Sequence, residues 1–284
     1  GPLKSPLTGS VTKLDDRIER HIENVMALDL VNVDAIRELR PKVVIDAING
    51  AGSEALPAFL ERIGCEVIPL NCNNDGNFVH TPEPLPENLM ELRKTVSRTG
   101  ADIGIATDPD ADRLAVIDAV GNPLVEEYTL VLAAYHALRH AAEDDRRPLV
   151  TNLSSTKALD DLAERYGRRV LRTPVGEIHV ARKMQQLDTL IGGEGNGGVI
   201  LAESHLGRDS LVASGLILSL MAETKQSIRE IADDLPRYEM VKDKINVQGY
   251  QPADILRSLA EKYASLVPNL EDGVKISWKD RWVH

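Results

Sequence analysis

Residues 103–118, IGIATDPDADRLAVID, place Asp108, Asp110 and Asp112 at alternate positions directly after an apolar run. In an extended or turning loop, alternate residues point the same way, so three carboxylates can converge on one point. They repel there unless a cation sits among them. Hard divalent cations want such oxygen donors, and Mg²⁺ takes few protein carboxylates and leaves room for a phosphate oxygen. Pro109 stiffens the loop and removes an amide donor. Arg113 offers a guanidinium suited to bidentate phosphate contact beside the metal. The bland alternative is a solvated acidic turn; a D-P-D-A-D-R run leaving a buried strand favours the metal loop over it. An EF-hand does not fit, since its loop wants Gly at position six and Glu at position twelve, where this chain has Arg113 and Ala119. A haloacid-dehalogenase type of phosphatase fits poorly as well, because Asp112 stands where a hydroxylic residue is expected.

A second candidate is IGGEGNGGVI, residues 191–200. Its glycines permit close backbone approach and unusual φ. Glu194 and Asn196 alternate in sequence and can project together, a carboxylate and a carboxamide clamping vicinal sugar hydroxyls. A purely structural turn is the competing reading. The run is not a dinucleotide fingerprint at the start of a βαβ unit, because the following residues continue as a strand. In RTPVGEIHV, Gly176 opens a helix whose amides could contact an anion or substrate, or simply cap it. His179 reads as a packed or surface residue. His205 and Arg208, in ESHLGRDS, could reach a ligand or serve the loop and helix cap.

The elements that must hold these loops read as α/β. Leu14, Ile18, Ile22, Val25 and Met26 fall at helical spacing over residues 13–28. KVVIDA, NGAGS, EALPAFLERIG and CEVIPL give strand, turn, helix and strand, a βαβ unit that favours a parallel sheet covered by helices. The turn-rich segment 73–87 is an ordered loop, followed by a helix near 88–98 and strands on either side of the aspartates. The pattern then repeats: a helix over 129–142, strand LVTNLS, helix STKALDDLAERYG, strand RRVLRTP, helix GEIHVARKMQQ, strand TLIGGEGNGGVIL and helix SLVASGLILSLMAET. From about 237 the expectation is strand (YEMVKDKINV), helix and strand. The fold class is therefore α/β: tandem three-layer α/β/α domains with mixed, mostly parallel sheets, plus an incomplete C-terminal α+β segment. The boundaries are 11–120, 121–236 and 237–284, with residues 1–10 a leader or tag remnant.

The 284 residues suit more than one core. A net charge of −11 argues against a nucleic-acid partner, since phosphate backbones require a basic face. No run suits a membrane span. Cys65 and Cys72 are too few for a disulfide framework and lack zinc-ligand spacing; they read as a buried thiol and a loop thiol in a reducing cytoplasm.

Taken together and in order, TDPDADR, GGEGNGG, NGAGS, PEPLPENL and RTPVGEIHVARKM resemble the α-D-phosphohexomutase superfamily, in its phosphoglucosamine mutase and phosphomannomutase branches. The resemblance implies four domains: a phosphoserine domain, a Mg²⁺ domain, a sugar domain and a phosphate-clamping domain. It implies Asp108, Asp110 and Asp112 as metal ligands, Arg113 beside the phosphoserine, and Glu194 and Asn196 on hexose or hexosamine phosphate, with Gly176 and Arg208 as further substrate contacts. Some members close the sugar loop with a histidine; Gly198 stands there, so that acid/base role is lost. Neither a T-A-S-H-N-P-like serine loop nor an R-x-S-N-T-E-P-like phosphate loop occurs in the sequence. The expectation is thus the central piece of a cytoplasmic mutase, needing the phosphoserine domain of the same enzyme as partner and inactive alone. Self-association through exposed apolar faces goes with it. The alternative is a non-catalytic module that binds sugar phosphate or a partner chain.

Overall fold

The computed structural model describes residue 10 and residues 12–284, so nearly all of the leader reading lies outside the described residues. Two helices, α1 (Arg17–Met26) and α2 (Val33–Leu39), precede a first sheet of β1 (Lys42–Asp46), β2 (Glu66–Leu70), β3 (Ile103–Thr107) and β4 (Leu114–Asp118). Helix α3 (Gly52–Arg62) joins β1 to β2, and α4 (Met90–Thr99) precedes β3. The strand order is β2-β1-β3-β4, with β4 antiparallel to its parallel neighbours. Leu14 lies outside α1 and is exposed, so the helix begins later than its spacing suggested; Ile22 and Val25 form its buried face.

The second half repeats this plan. Helix α5 (Glu127–His140) leads to β5 (Leu149–Asn152), α6 (Ala158–Arg165), β6 (Val170–Thr173), α7 (Glu177–Leu187), β7 (Ile191–Glu194) and β8 (Gly198–Leu201). The order β6-β5-β7-β8 again ends in an antiparallel strand. The single strand expected over 189–201 is therefore a tight hairpin: Gly197, at φ +93°, takes a conformation that favours glycine and turns the chain back.

After α8 (Ser210–Thr224) and α9 (Ile228–Asp233), residues 239–247 carry no regular structure where a strand was expected. No neighbouring strand among the described residues offers them hydrogen bonds. The rest is α10 (Pro252–Lys262), a single 3₁₀ turn (Ala264–Leu266) and the two-residue strands β9 (Ile276–Ser277) and β10 (Trp282–Val283). None of the buried residues falls on α10, and Val241, Ile245, Tyr250 and Val267 are exposed. No helix among the described residues is long and apolar enough to cross a membrane.

Each sheet has an outer helix. Leu92 and Val96 of α4 cover Val44, Ala106 and Ile117, while Val180 and Met184 of α7 cover Val150 and Ile200. Between the sheets lies one continuous core rather than two. It joins Ile45, Ile105 and Val116 to Leu149, Val199 and Leu201 through α5 and α8. Helix α8 is apolar nearly all round, as a helix enclosed on every side must be. It reaches across the repeat: Ser219 Oγ accepts the Asn32 amide at 2.9 Å. A Cβ on Gly215 would lie 3.0 Å from Val31 Cγ2, so the small residue sets how closely α8 approaches the segment before α2.

A shared core predicts a shared transition. Urea unfolding followed by far-UV circular dichroism and by calorimetry should give a single coincident step for both sheets. Leu216→Ala, in the middle of α8, should lower stability by about 2–5 kcal/mol without splitting that step.

Candidate functional site

The aspartate loop joins β3 to β4, and the glycine hairpin joins β7 to β8. They occupy equivalent positions, between the third parallel strand and the antiparallel edge strand of each sheet. The two edges meet there. Leu114 N–H donates to Gly197 O at 3.0 Å, and Arg113 and Gly198 form an isolated antiparallel bridge. A Cβ on Gly197 would fall 2.5 Å from Leu114 O, which is why the approach needs glycine.

Below the aspartates, the NGAGS turn acts as a buttress. Ile48 and Asn49 sit in the left-handed region at φ +49° and +58°, and Ala51 N–H donates to Pro109 O at 2.8 Å. On the other side, Ala111 holds φ +60° while its carbonyl accepts both the amide and the hydroxyl of Ser210, at 3.2 and 2.6 Å. The loop is thus gripped from both repeats.

Candidate donor oxygens of Asp108, Asp110 and Asp112 lie within 4.8 Å of one another. Asp108 is buried; its Oδ1 accepts the amides of Asp112 and Arg113, and its Oδ2 accepts Arg113 Nε at 2.5 Å. Arg113 is held on its far side by Glu83 Oε2 at 2.7 Å, so its guanidinium is fixed beside the carboxylates. Asp112 Oδ2 pairs with Arg208, while its Oδ1 is buried without a hydrogen-bond partner. Burial pushes the Asp112 carboxyl up to about 6, the charges of Asp108 and Asp110 adding to the rise and Arg208 opposing it. A buried, unpartnered carboxylate oxygen within a surplus of negative charge suits a divalent cation, so the donor set fits one.

Arg208 also reaches the hairpin. Its Nη1 donates to Glu194 Oε2 at 2.7 Å, its backbone amide donates to Glu177 Oε1 at 2.7 Å, and its Nε is buried 3.7 Å from Glu177 Oε2. The other oxygen of Glu194 accepts Asn152 Nδ2 at 2.8 Å and the Gly176 amide at 3.0 Å. The Gly176 amide, for which the sequence offers either an anion or substrate contact or simple helix capping, is therefore committed to Glu194 at the start of α7. Its φ of +120° still requires glycine. Asn196 sits at the hairpin turn, its Oδ1 3.4 Å from the Gly198 amide.

The structure thus links Asp108, Asp112, Arg113, Glu194 and Arg208 in one chain of contacts, with Asp110 exposed at its mouth and Gly176 behind Glu194. His205 is apart, its Nε2 on Asp209 Oδ2 at 2.9 Å; Asp209 itself caps α8 through Leu211 and Val212. His179 is exposed. Sequence reasoning missed Glu83, Asn152, Glu177 and Glu127. Glu83 and Glu177 lay within quoted motifs, yet only the fold brings either to an arginine distant in sequence.

Glu127 lies beneath the hairpin. Its buried carboxyl accepts the Thr156 amide at 2.8 Å, and a Cβ on Gly195 would fall 2.0 Å from its Oε2. Burial pushes this carboxyl up to about 7 from its usual 4.5.

Comparison with known proteins accords with this architecture. Phosphoglucomutase/phosphomannomutase alpha/beta/alpha domain II matches residues 19–121, and alpha/beta/alpha domain III of the same proteins matches 126–238. The chain belongs to the α-D-phosphohexomutase superfamily. It is 39% identical over 272 residues to a phosphoglucomutase/phosphomannomutase of Thermococcus kodakarensis, covering 95% of this chain and 58% of the relative. It is 30% identical over 278 residues to a probable phosphoglucosamine mutase of Methanopyrus kandleri, covering 97% and 60%. A phosphoglucomutase/phosphomannomutase family protein from Burkholderia thailandensis superimposes with TM-score 0.78 at 26% identity, over 93% of this chain and 56% of that one. N-acetylphosphoglucosamine mutase of Aspergillus fumigatus, solved with GlcNAc-6P and magnesium, shares the fold at TM-score 0.55 and 15% identity, over 87% and 61%. The chain therefore spans less than two thirds of each of these proteins.

Two predictions follow from the packing around the hairpin. Between pH 4.5 and about 7 the unfolded chain has lost the Glu127 proton while the folded chain keeps it, so stability falls as pH rises and levels off above 7. Glu127→Gln should flatten that slope in pH-dependent chemical denaturation, the variant gaining up to about 3 kcal/mol on wild type across the interval. A Cβ on Gly198 would lie 2.1 Å from Arg208 Cδ, so Gly198→Ala should displace the arginine. It should cost about 1–3 kcal/mol, read as a lowered denaturation midpoint.

Proposed function

We propose that this chain supplies the cation-holding and sugar-holding parts of a phosphohexomutase that interconverts hexose or hexosamine 1- and 6-phosphates. The observation that carries this reading is the Asp112–Arg208–Glu194 bridge, which holds the carboxylate loop and the glycine hairpin against each other. A phosphoryl group at the first loop and a sugar at the second then share one cleft.

In this reading Asp108, Asp110 and Asp112 hold Mg²⁺, which when bound neutralises charge on the transferring phosphoryl group. Arg113, fixed by Glu83 and Asp108, presents a second cation without reorganisation during the reaction. Glu194 and Asn196 bind sugar hydroxyls and orient the acceptor; orientation is a large part of the barrier in phosphoryl transfer. Gly176 acts through Glu194, which its amide helps to aim. Arg208 aligns both loops and remains a candidate substrate contact. The phosphoryl donor is a serine of the same enzyme outside these 284 residues, and the reaction passes through a sugar bisphosphate that reorients and returns its other phosphoryl group. Alone, the chain holds these loops without turnover.

Mg²⁺ titration by calorimetry tests the first assignment: Asp110→Asn should weaken binding by at least about 10-fold, and an unchanged affinity would remove these aspartates as ligands. For the activity, the chain should show no mutase turnover with glucose 1-phosphate and a bisphosphate primer until, together with a phosphate-clamping domain, a serine-bearing first domain from a relative is added. Turnover without that domain would contradict the division of labour.

A further inference from the structure

Far from the catalytic loops, α5 carries two histidines one turn apart, His136 and His140, on the face that meets Glu223 of α8. Ser210, at the other end of α8, touches the aspartate loop. Thirteen residues of helix separate the two places by about 20 Å. His140 Nε2 lies 2.8 Å from Glu223 Oε2, and His136 Nδ1 lies 4.0 Å from the same oxygen. One donor atom from each of the three residues falls within 4.8 Å of the others.

The state of His136 gives this cluster its meaning. The residue is fully buried, and its Nε2 lies 2.8 Å from the Leu30 carbonyl oxygen. A carbonyl oxygen only accepts, so Nε2 carries the hydrogen and Nδ1 is left with a bare lone pair. That nitrogen is buried and has no hydrogen-bond partner. A lone pair left unpartnered in a protein interior costs free energy unless something electrophilic meets it. The ring is oriented as metal-bound histidines are, with its other nitrogen donating to a backbone carbonyl. Glu223 is prepared in the same way: Asn32 Nδ2 donates to its Oε1 at 3.0 Å and leaves Oε2 toward the histidines.

We propose that His136 Nδ1, His140 Nε2 and Glu223 Oε2 form a binding site for a Zn²⁺-class transition-metal ion, separate from the aspartate loop. Two imidazoles and one carboxylate favour zinc, cobalt or nickel over magnesium or calcium. Tetrahedral bonds of about 2.0–2.1 Å put donor atoms about 3.3 Å apart, so His140 moves outward slightly and Glu223 inward. His140 is partly exposed, which leaves a path for the ion and a fourth position for water. Bound there, the ion ties α5 to α8, and through Leu30 and Asn32 to the start of α2. The other histidine pair, His21 and His205, does not compete on these grounds. Neither ring carries a buried nitrogen without a hydrogen-bond partner of the kind His136 Nδ1 provides, and Asp209, which both Nε2 atoms meet, is also engaged through Oδ1 in capping α8.

The test uses the chelator-stripped chain in excess Mg²⁺, titrated with Co²⁺ and followed by visible absorption. One equivalent should bind with the intense bands of four-coordinate cobalt, be displaced by Zn²⁺, and raise the thermal midpoint. His140→Ala and Glu223→Gln should each weaken binding by at least about 10-fold. Asn32→Ser keeps a helix-capping hydroxyl but loses the donor to Glu223, and should cost about 10-fold. His21→Ala should leave the bands unchanged. Absence of the bands in wild type, their survival in His140→Ala, or their loss in His21→Ala would each overturn the proposal.

Discussion

The reach of Arg208 to Asp112 on one side and Glu194 on the other is the constraint on which this arrangement turns. Both carboxylates are largely withdrawn from water, and each would be costly without a cation. A planar guanidinium can serve two carboxylates at once along different edges, which a lysine ammonium does less well. The side chain can lie there only because Gly198 has no Cβ. Glu177 then fixes the backbone from which Arg208 springs. Two loops that belong to different sheets are thereby held in register by one residue that belongs to neither.

Repetition explains why one residue can reach both loops. Each half ends its sheet in an antiparallel edge strand, and the turn before that strand is where each half bears its polar residues. Placing the two edges together brings both turns to one spot, and the hydrogen bond from Leu114 to Gly197 joins them. The strand order and the chemistry are the same device used twice, once with aspartates and once with glycines around a glutamate.

Much of this was legible in the sequence. Apolar runs and turn residues marked most of the strands, and the alternation of the aspartates pointed to their convergence because it is a local property of the chain. Partners distant in sequence were not legible: Glu83 with Arg113 and Glu177 with Arg208 lie within one half each, and Arg208 with Asp112 across the two, and all depend on how separate segments pack. For the run 189–201 the sequence supports both a continuous strand and a turn, because glycine signals a turn and a close approach alike; the structure has the turn, at 195–197. The segment 239–247 has strand-like residues but no strand beside it, and periodicity carries no information about pairing. Gly176 was placed correctly at a helix start, yet whether its amide is free depends on Glu194, eighteen positions away.

The continuous core between the sheets has a mechanical consequence. Close-packed side chains interlock and do not slide continuously past one another. With α8 seated against both sheets and against α2, the two loops form one stiff block whose geometry is set when the chain folds. Any opening and closing around a ligand must then be carried by segments attached to that block. Among the described residues, the stretch 239–247, which pairs with no strand, and α10, none of whose residues is buried, add little to that interlocked core.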